Sequence, residues 1–249
     1  MCHEGMTMKF RNISVAAVAF FFVFSVTALA AEDTYTQSFV ILIDDKPAGT
    51  ETVSEEKDGS NNVVYTSEHD LLVDDGLSIN RVVFSTKMVL SKGAKDIRTY
   101  ACRYQTSLDG GTGDSYDVSI KNGVITRILT RSGQSIDAAA PFTNNMVIVD
   151  FNVYHHYEYL LRRYDRKKKG TQIFENFIPV IGSGIPMKVT WIGDEKLRFY
   201  EKNTVETSKF LVDFVGIHTV TVLVDKSGRL VLLENPTQNL KVIRKDLLP

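Results

Sequence analysis

The sequence predicts an all-β, mainly antiparallel fold: an incomplete barrel or strongly curved sheet with one helix packed on its concave side. Three observations carry that expectation. From Thr34 onward apolar and polar residues alternate with period two, and β-branched and aromatic residues fall between clusters of turn formers. The implied strands are long, which suits a broad curved sheet better than a small sandwich. One segment alone, residues 151–169, abandons period two for the three-and-four spacing of an amphipathic helix.

Ahead of the strands, Lys9 and Arg11 precede an apolar run over residues 13–26, and Ala28-Leu29-Ala30 supplies the small residues that signal peptidase inspects. The expected organisation is a signal peptide over residues 1–30 and a single β-rich domain over residues 31–249. Met6 and Met8 both precede Lys9, so the true start is open among three methionines. The apolar run falls short of the roughly 20 residues that cross a bilayer core. The product is therefore expected to be periplasmic or secreted and not membrane-spanning after cleavage.

The strands are read in order. Residues 35–44 lead through Asp45-Lys46-Pro47-Ala48-Gly49 into residues 50–56, a hairpin marked by Pro and Gly at turn positions. After a polar turn over residues 57–62 come strands over 63–73, 77–92 and 95–108, joined by Asp74-Asp75-Gly76 and Gly93-Ala94. Tyr100, Cys102 and Tyr104 share one face of the last of these, opposite Thr99, Arg103 and Gln105. Cys102 is thus expected to be buried and inert, and as the lone cysteine beyond the leader it forms no intrachain disulfide.

A Gly-rich loop over residues 109–114 precedes the strongest local signal in the chain, Asn122-Gly123 between residues 115–121 and 124–131. Asn-Gly accepts the positive φ angles of a type I′ turn. That turn sets Ile120 opposite Ile125 and Tyr116 opposite Leu129, on an apolar face interrupted by Arg127. Residues 132–145, which hold Ala138-Ala139-Ala140-Pro141, read as the weakest joint.

In the predicted helix, Val153, Tyr154, Tyr157, Leu160, Leu161 and Tyr164 form the apolar stripe. Asp150 or Asn152 is available to cap its start. Arg162, Arg163, Arg166, Lys167, Lys168 and Lys169 crowd its end before Gly170 and are read as cations at the negative end of the helix dipole, in preference to a surface for anionic headgroups. Strands then resume over residues 171–179, 186–192, 197–207, 209–214, 218–224, 229–234 and 240–244, with turns at Gly193-Asp194-Glu195 and Asp225-Lys226-Ser227-Gly228.

Charge excludes little except nucleic acid. The 249-residue chain balances 29 Lys and Arg against 30 Asp and Glu, whereas nucleic-acid binding favours a strongly basic face. The sequence assigns no catalytic residue, no metal ligand and no cofactor. His155 shares a face with Glu158 and lies near Asp150, but the spacing is not that of the helical His-Glu-x-x-His motif, and the group is read as a solvated helix face, with His156 beside it. His69, between Glu68 and Asp70, and His218 are less specific still. Gly182-Ser183-Gly184 lacks the context of an activated serine and reads as a flexible loop. The aromatic residues are the remaining hint: Tyr154, Tyr157, Leu161 and Tyr164 on the helix, with Phe174, Phe177 and Trp191 beyond it, are the candidate lining of an apolar ligand site.

Three pieces of the chain carry a resemblance. They are the opening turn Asp45-Lys46-Pro47-Ala48-Gly49-Thr50, the segment Trp191-Ile192-Gly193, and the closing residues 222–231 with Asn235-Pro236 and Val242-Ile243-Arg244 after them. Together they resemble a group of exported bacterial domains of unknown function built as a curved antiparallel sheet, similar in architecture to the periplasmic carriers that shield lipoprotein acyl chains. The resemblance implies the fold and brings no catalytic residues. The function expected is that of a non-enzymatic exported envelope protein that holds an apolar or lipid-like ligand between helix and sheet. An envelope interaction or scaffolding module with a protein partner is the alternative. A metal-dependent or hydrolytic enzyme built on His155, His156, Glu158 and Asp150 ranks last.

Overall fold

A computed structural model describes residues 34–74, 79–91, 96–105, 113–199 and 203–249. The expected leader, the turns at Asp75-Gly76 and Gly93-Ala94 and most of the loop over 109–114 lie outside the described residues.

The chain forms the expected curved antiparallel sheet with one helix inside it. Its strands are β1 (Tyr35–Ile43), β2 (Lys46–Lys57), β3 (Val63–Asp74), β4 (Ile79–Leu90), β5 (Ile97–Tyr104), β6 (Ser115–Lys121), β7 (Val124–Arg131), β8 (Gln134–Pro141) and β9 (Met146–Val147). The helix α1 (His156–Arg163) follows, and then β10 (Thr171–Ile178), β11 (Ser183–Phe199), β12 (Asn203–Phe214), β13 (His218–Asp225), β14 (Leu230–Asn235) and β15 (Leu240–Arg244). Spatially the order runs from β8 back to β1, then from β15 back to β9. The first and last strands therefore meet in the middle of the sheet, where β1 pairs antiparallel with β15. Neighbours are antiparallel throughout except β9 on β10. No pairing joins the edge strands β8 and β9 among the described residues, so the sheet stays open.

Period two decides which face is buried. On β1 Gln37, Phe39 and Ile41 point inward; on β4 Val82, Phe84, Thr86, Met88 and Leu90 do the same. These side chains join those of β12–β15 in one continuous core that wraps α1. An enclosed helix has no solvent face to spare. Six of its eight residues, from His156 to Leu161, are buried, polar ones included. Among the described residues no helix is long and apolar enough to cross a membrane.

The Asn122-Gly123 turn has both φ angles positive, and its register pairs Ile120 with Ile125 and Tyr116 with Leu129, as turn chemistry predicts. Cys102 is fully buried, also as expected. Burial is the main force pushing its thiol up to about 12. Since the thiolate is the nucleophile, Cys102 is expected to resist iodoacetamide at pH 8 in the native protein and to react fully in urea. Rapid native labelling, read by intact mass, would contradict this placement.

Several boundaries differ from the sequence reading. The first hairpin turns at Asp44-Asp45, both with positive φ; Lys46 to Gly49 belong to β2, so Pro47 lies in a strand. Residues 132–145 are not a loose joint: Ser132-Gly133 makes a second turn with both φ angles positive, and β8 pairs with β7 along its length. The expected turn at Gly193-Asp194-Glu195 is a bulge inside β11, where the register shifts between Trp191 and Gly193 while β12 continues alongside. Likewise, the expected break near Ser208 falls inside β12. The helix spans His156–Arg163, much less than residues 151–169. At its start Asn152 takes a left-handed φ of 60°, and neither Asp150 nor Asn152 caps it. The basic run beyond Arg163 leaves the helix, with Lys169 left-handed before Gly170.

Candidate functional site

Two features could carry function: a polar layer beneath α1 and an apolar end of the sheet. The polar layer arises because several inward positions are occupied by groups that must find partners once they leave water. Glu51 on β2 and His69 on β3 are in phase with Val53 and Leu71, so both point into the core. His155, the residue before α1, meets them there. Its Nδ1 lies 2.7 Å from Glu51 Oε1, and His69 Nε2 lies 3.6 Å from the same oxygen. Backbone N–H groups of Tyr154 and His155 also donate to the Glu51 carboxylate, at 3.2 and 3.4 Å.

Full burial opposes ionisation of Glu51, yet the facing His69 and the hydrogen bonds from His155 hold its carboxyl below the usual range. Burial dominates at His69 and takes its imidazole down to about 4, against the pull of Glu51. Phe84 stacks on the His69 ring with centroids 4.1 Å apart, and the Ser67 hydroxyl lies 2.7 Å from its Nε2.

A second buried carboxyl holds the other side of the helix. Glu158 accepts hydrogen bonds from Gln37 Nε2 and, at 2.8 Å, from the Leu230 backbone N–H, while Arg229 lies 3.3 Å away. Arg229 and Arg162 also reach Glu55, at 2.5 and 3.3 Å. Asp150 is bound separately, by the hydroxyls of Tyr100 at 2.8 Å and of Tyr116, and by Phe151 N–H. Burial raises its carboxyl despite those bonds. His156 Nδ1 accepts from Asp150 N–H.

The expected solvated face of His155 and Glu158 is therefore a correction: both are almost fully buried, because the concave face of the sheet wraps this part of the chain. Nor do His155, His156, Glu158 and Asp150 converge as a single site. Each is committed to a different partner, and the residues that do meet His155 come from β2 and β3.

The apolar end is set by strand alternation. The turns over residues 44–45, 179–182, 215–217 and 236–239 and the C-terminal end of β3 all fall at one end of the strands. That end exposes Ile43, Leu72, Phe151, Val180, Ile181, Val215 and Ile217, each between 38% and 55%. The described turns at the opposite end, over residues 58–62, 122–123 and 226–229, hold only glycine and polar residues, with Tyr35 and Val124 exposed beside them, while the polar Ser132-Gly133 turn falls at the apolar end.

A polar hollow of about 480 Å³, lined by Asp44, Asp45, Glu234, Asn235 and Lys241 among others, opens at this end, and two adjoining hollows open beside it. One, of about 60 Å³, lies between residues 149–154 and β12–β14 and is bordered by Tyr154, Tyr157, Phe214 and Val220. The other, of about 350 Å³, is lined by Ile41, Ile43, Leu71, Leu72, Tyr154 and Leu240, among others. Of the candidate lining residues, Tyr154 and Tyr157 reach these hollows. Leu161, Tyr164, Phe174 and Phe177 sit in the core beneath, and Trp191 packs on the edge of that core. Sequence spacing put all seven together; six of them belong to one core, and only Tyr154 and Tyr157 of these also border a hollow.

No family model matches the chain, and no curated protein matches it in sequence. Its fold is similar to the crystal structure of a β-barrel-like protein, a domain of unknown function DUF1849, from Brucella abortus. The two superpose with a TM-score of 0.53 over 85% of this chain and 94% of that one, at 11% identity. The chain thus shares a β-barrel-like fold with a domain of unknown function.

Proposed function

We propose that the protein is a non-enzymatic, exported envelope protein that holds an apolar, lipid-like ligand at the apolar end of its sheet, seated in the hollows bordered by Tyr154 and Tyr157. The observation that carries this reading is the asymmetry between the two ends. Single exposed apolar residues are ordinary, but seven at one end, three of them (Ile43, Leu72 and Phe151) bordering the two hollows, mark a surface that gains by being covered. The 350 Å³ hollow falls at the lower end of the range of small-molecule sites, enough for part of an acyl chain. The leader-like N-terminus and the resemblance to lipoprotein carriers support the address and the ligand class. The core fills the space between helix and sheet, so the ligand lies across the end of the sheet instead of beneath the helix.

The test is a charge placed at the apolar end, one in the wall of the 350 Å³ hollow at Leu72 and one in the exposed turn before His218 at Ile217. Leu72→Asp and Ile217→Asp remove apolar burial worth about 1.5–3 kcal/mol per side chain from the complex. Each is expected to weaken binding of a fluorescent fatty acid about 10-fold or more with little change in melting temperature, because both residues are already exposed. Unchanged binding in both variants would remove the reading. A docking module for another envelope protein would use the same end, and it is favoured if the surface binds no lipid yet crosslinks to one polypeptide.

A further inference from the structure

We propose that Glu51, His69 and His155 form a binding site for a divalent transition-metal cation of the zinc type, which pins the start of α1 to β2 and β3. One ligand atom from each of Glu51, His69 and His155 lies within 4.8 Å of the other two, and all three side chains are buried. A tetrahedral zinc ion with bonds of about 2.0–2.2 Å holds its donors about 3.2–3.6 Å apart. The 3.6 Å separation of Glu51 Oε1 from His69 Nε2 already matches, the 2.7 Å contact of Glu51 with His155 must lengthen by less than an ångström, and the two imidazoles, within 4.8 Å of each other, must close on the ion.

The donor set is chemically apt, since two imidazoles and one carboxylate suit zinc better than calcium or magnesium, which take oxygen cages. Ser67 Oγ, beside His69 Nε2, or a solvent oxygen can complete four coordination. The surroundings also hold the donors in place, as outer groups around metal ligands do. Phe84 stacks on His69, and the N–H groups of Tyr154 and His155 orient the Glu51 carboxylate.

Bound there, the cation would offset the charge of a carboxylate held in the core. Because Tyr154 borders both hollows and its backbone N–H bonds Glu51, the cation would fix the rim of the apolar end from below.

The full chain, expressed with its own leader and purified without tag or chelator, should carry one equivalent of metal by inductively coupled plasma mass spectrometry. After dialysis against EDTA it should bind one equivalent of zinc chloride and melt at a higher temperature with it. His69→Gln and Glu51→Gln, if folded by circular dichroism, should bind zinc about 100-fold more weakly or worse. X-ray absorption at the zinc edge of the wild-type protein should show two imidazoles, a readout that stands even if the variants fail to fold. No zinc uptake, equal uptake by the folded variants, or a shell of oxygens without imidazole would each overturn the site.

Discussion

Glu158→Ala is expected to lower the unfolding free energy by about 3–5 kcal/mol, the cost typical of breaking a buried ion pair by removing one partner. Glu158 is almost fully buried on α1 and gathers three elements at once: Gln37 of β1, the backbone of Leu230 on β14, and Arg229 just before it. Its removal leaves the Leu230 N–H and the Gln37 amide buried without an acceptor, and Arg229 with Glu55 and the face of Tyr35. For a chain of this size the loss corresponds to a fall in melting temperature of roughly 10 °C or more. Glu158→Gln should lose less, because the amide oxygen still accepts one of the donors. Urea titrations of the two variants check this, and a Glu158→Ala protein as stable as wild type would show that α1 is not held by this network.

Leu160→Ala is expected to cost about 3–5 kcal/mol as well, by a different route. Leu160 has no exposed surface and belongs to the core that joins both halves of the sheet around the helix. A helix of eight residues has little stability of its own, so its place depends on what it packs against. The truncation removes the apolar contact and leaves a cavity in a layer supported on every side, with little freedom to collapse. Leu160→Met, which conserves volume, should cost less than about 1.5 kcal/mol. A Leu160→Ala cost below that of Leu160→Met would mean that the helix is loosely seated.

The contrast between these positions shows what the sequence makes legible. Leu160 is visible because period and apolar character agree. The Asn122-Gly123 hairpin is visible for the same reason, since turn chemistry and alternation select one register. Glu158 and His155 were misread because an amphipathic helix is assumed to keep its polar side wet, and nothing local says that a sheet will close over it. Their partners, Gln37 and Glu51, lie more than 100 residues away in sequence. A signal was nevertheless present in strand phase: Glu51 falls in step with Val53, and His69 with Tyr65 and Leu71, so both had to face inward. The helix starts later than its apolar stripe suggests because residues 149–155 are captured by distant groups, Asn176 on Val149 and Glu51 on Tyr154 and His155, which local spacing does not reveal.

The apolar end was invisible for another reason. Ile43, Leu72, Phe151, Ile181 and Ile217 are scattered over the chain, and only the alternation of fifteen paired strands gathers them. Whether that end holds a ligand is tested most directly by native and denaturing mass spectrometry on the same sample, purified from its native envelope without detergent. The proposed function predicts a lipid-sized mass that accompanies the native protein, disappears on denaturation, and is absent from the Leu72→Asp and Ile217→Asp variants. A bare polypeptide mass, together with no saturable binding of added fatty acid, would contradict it.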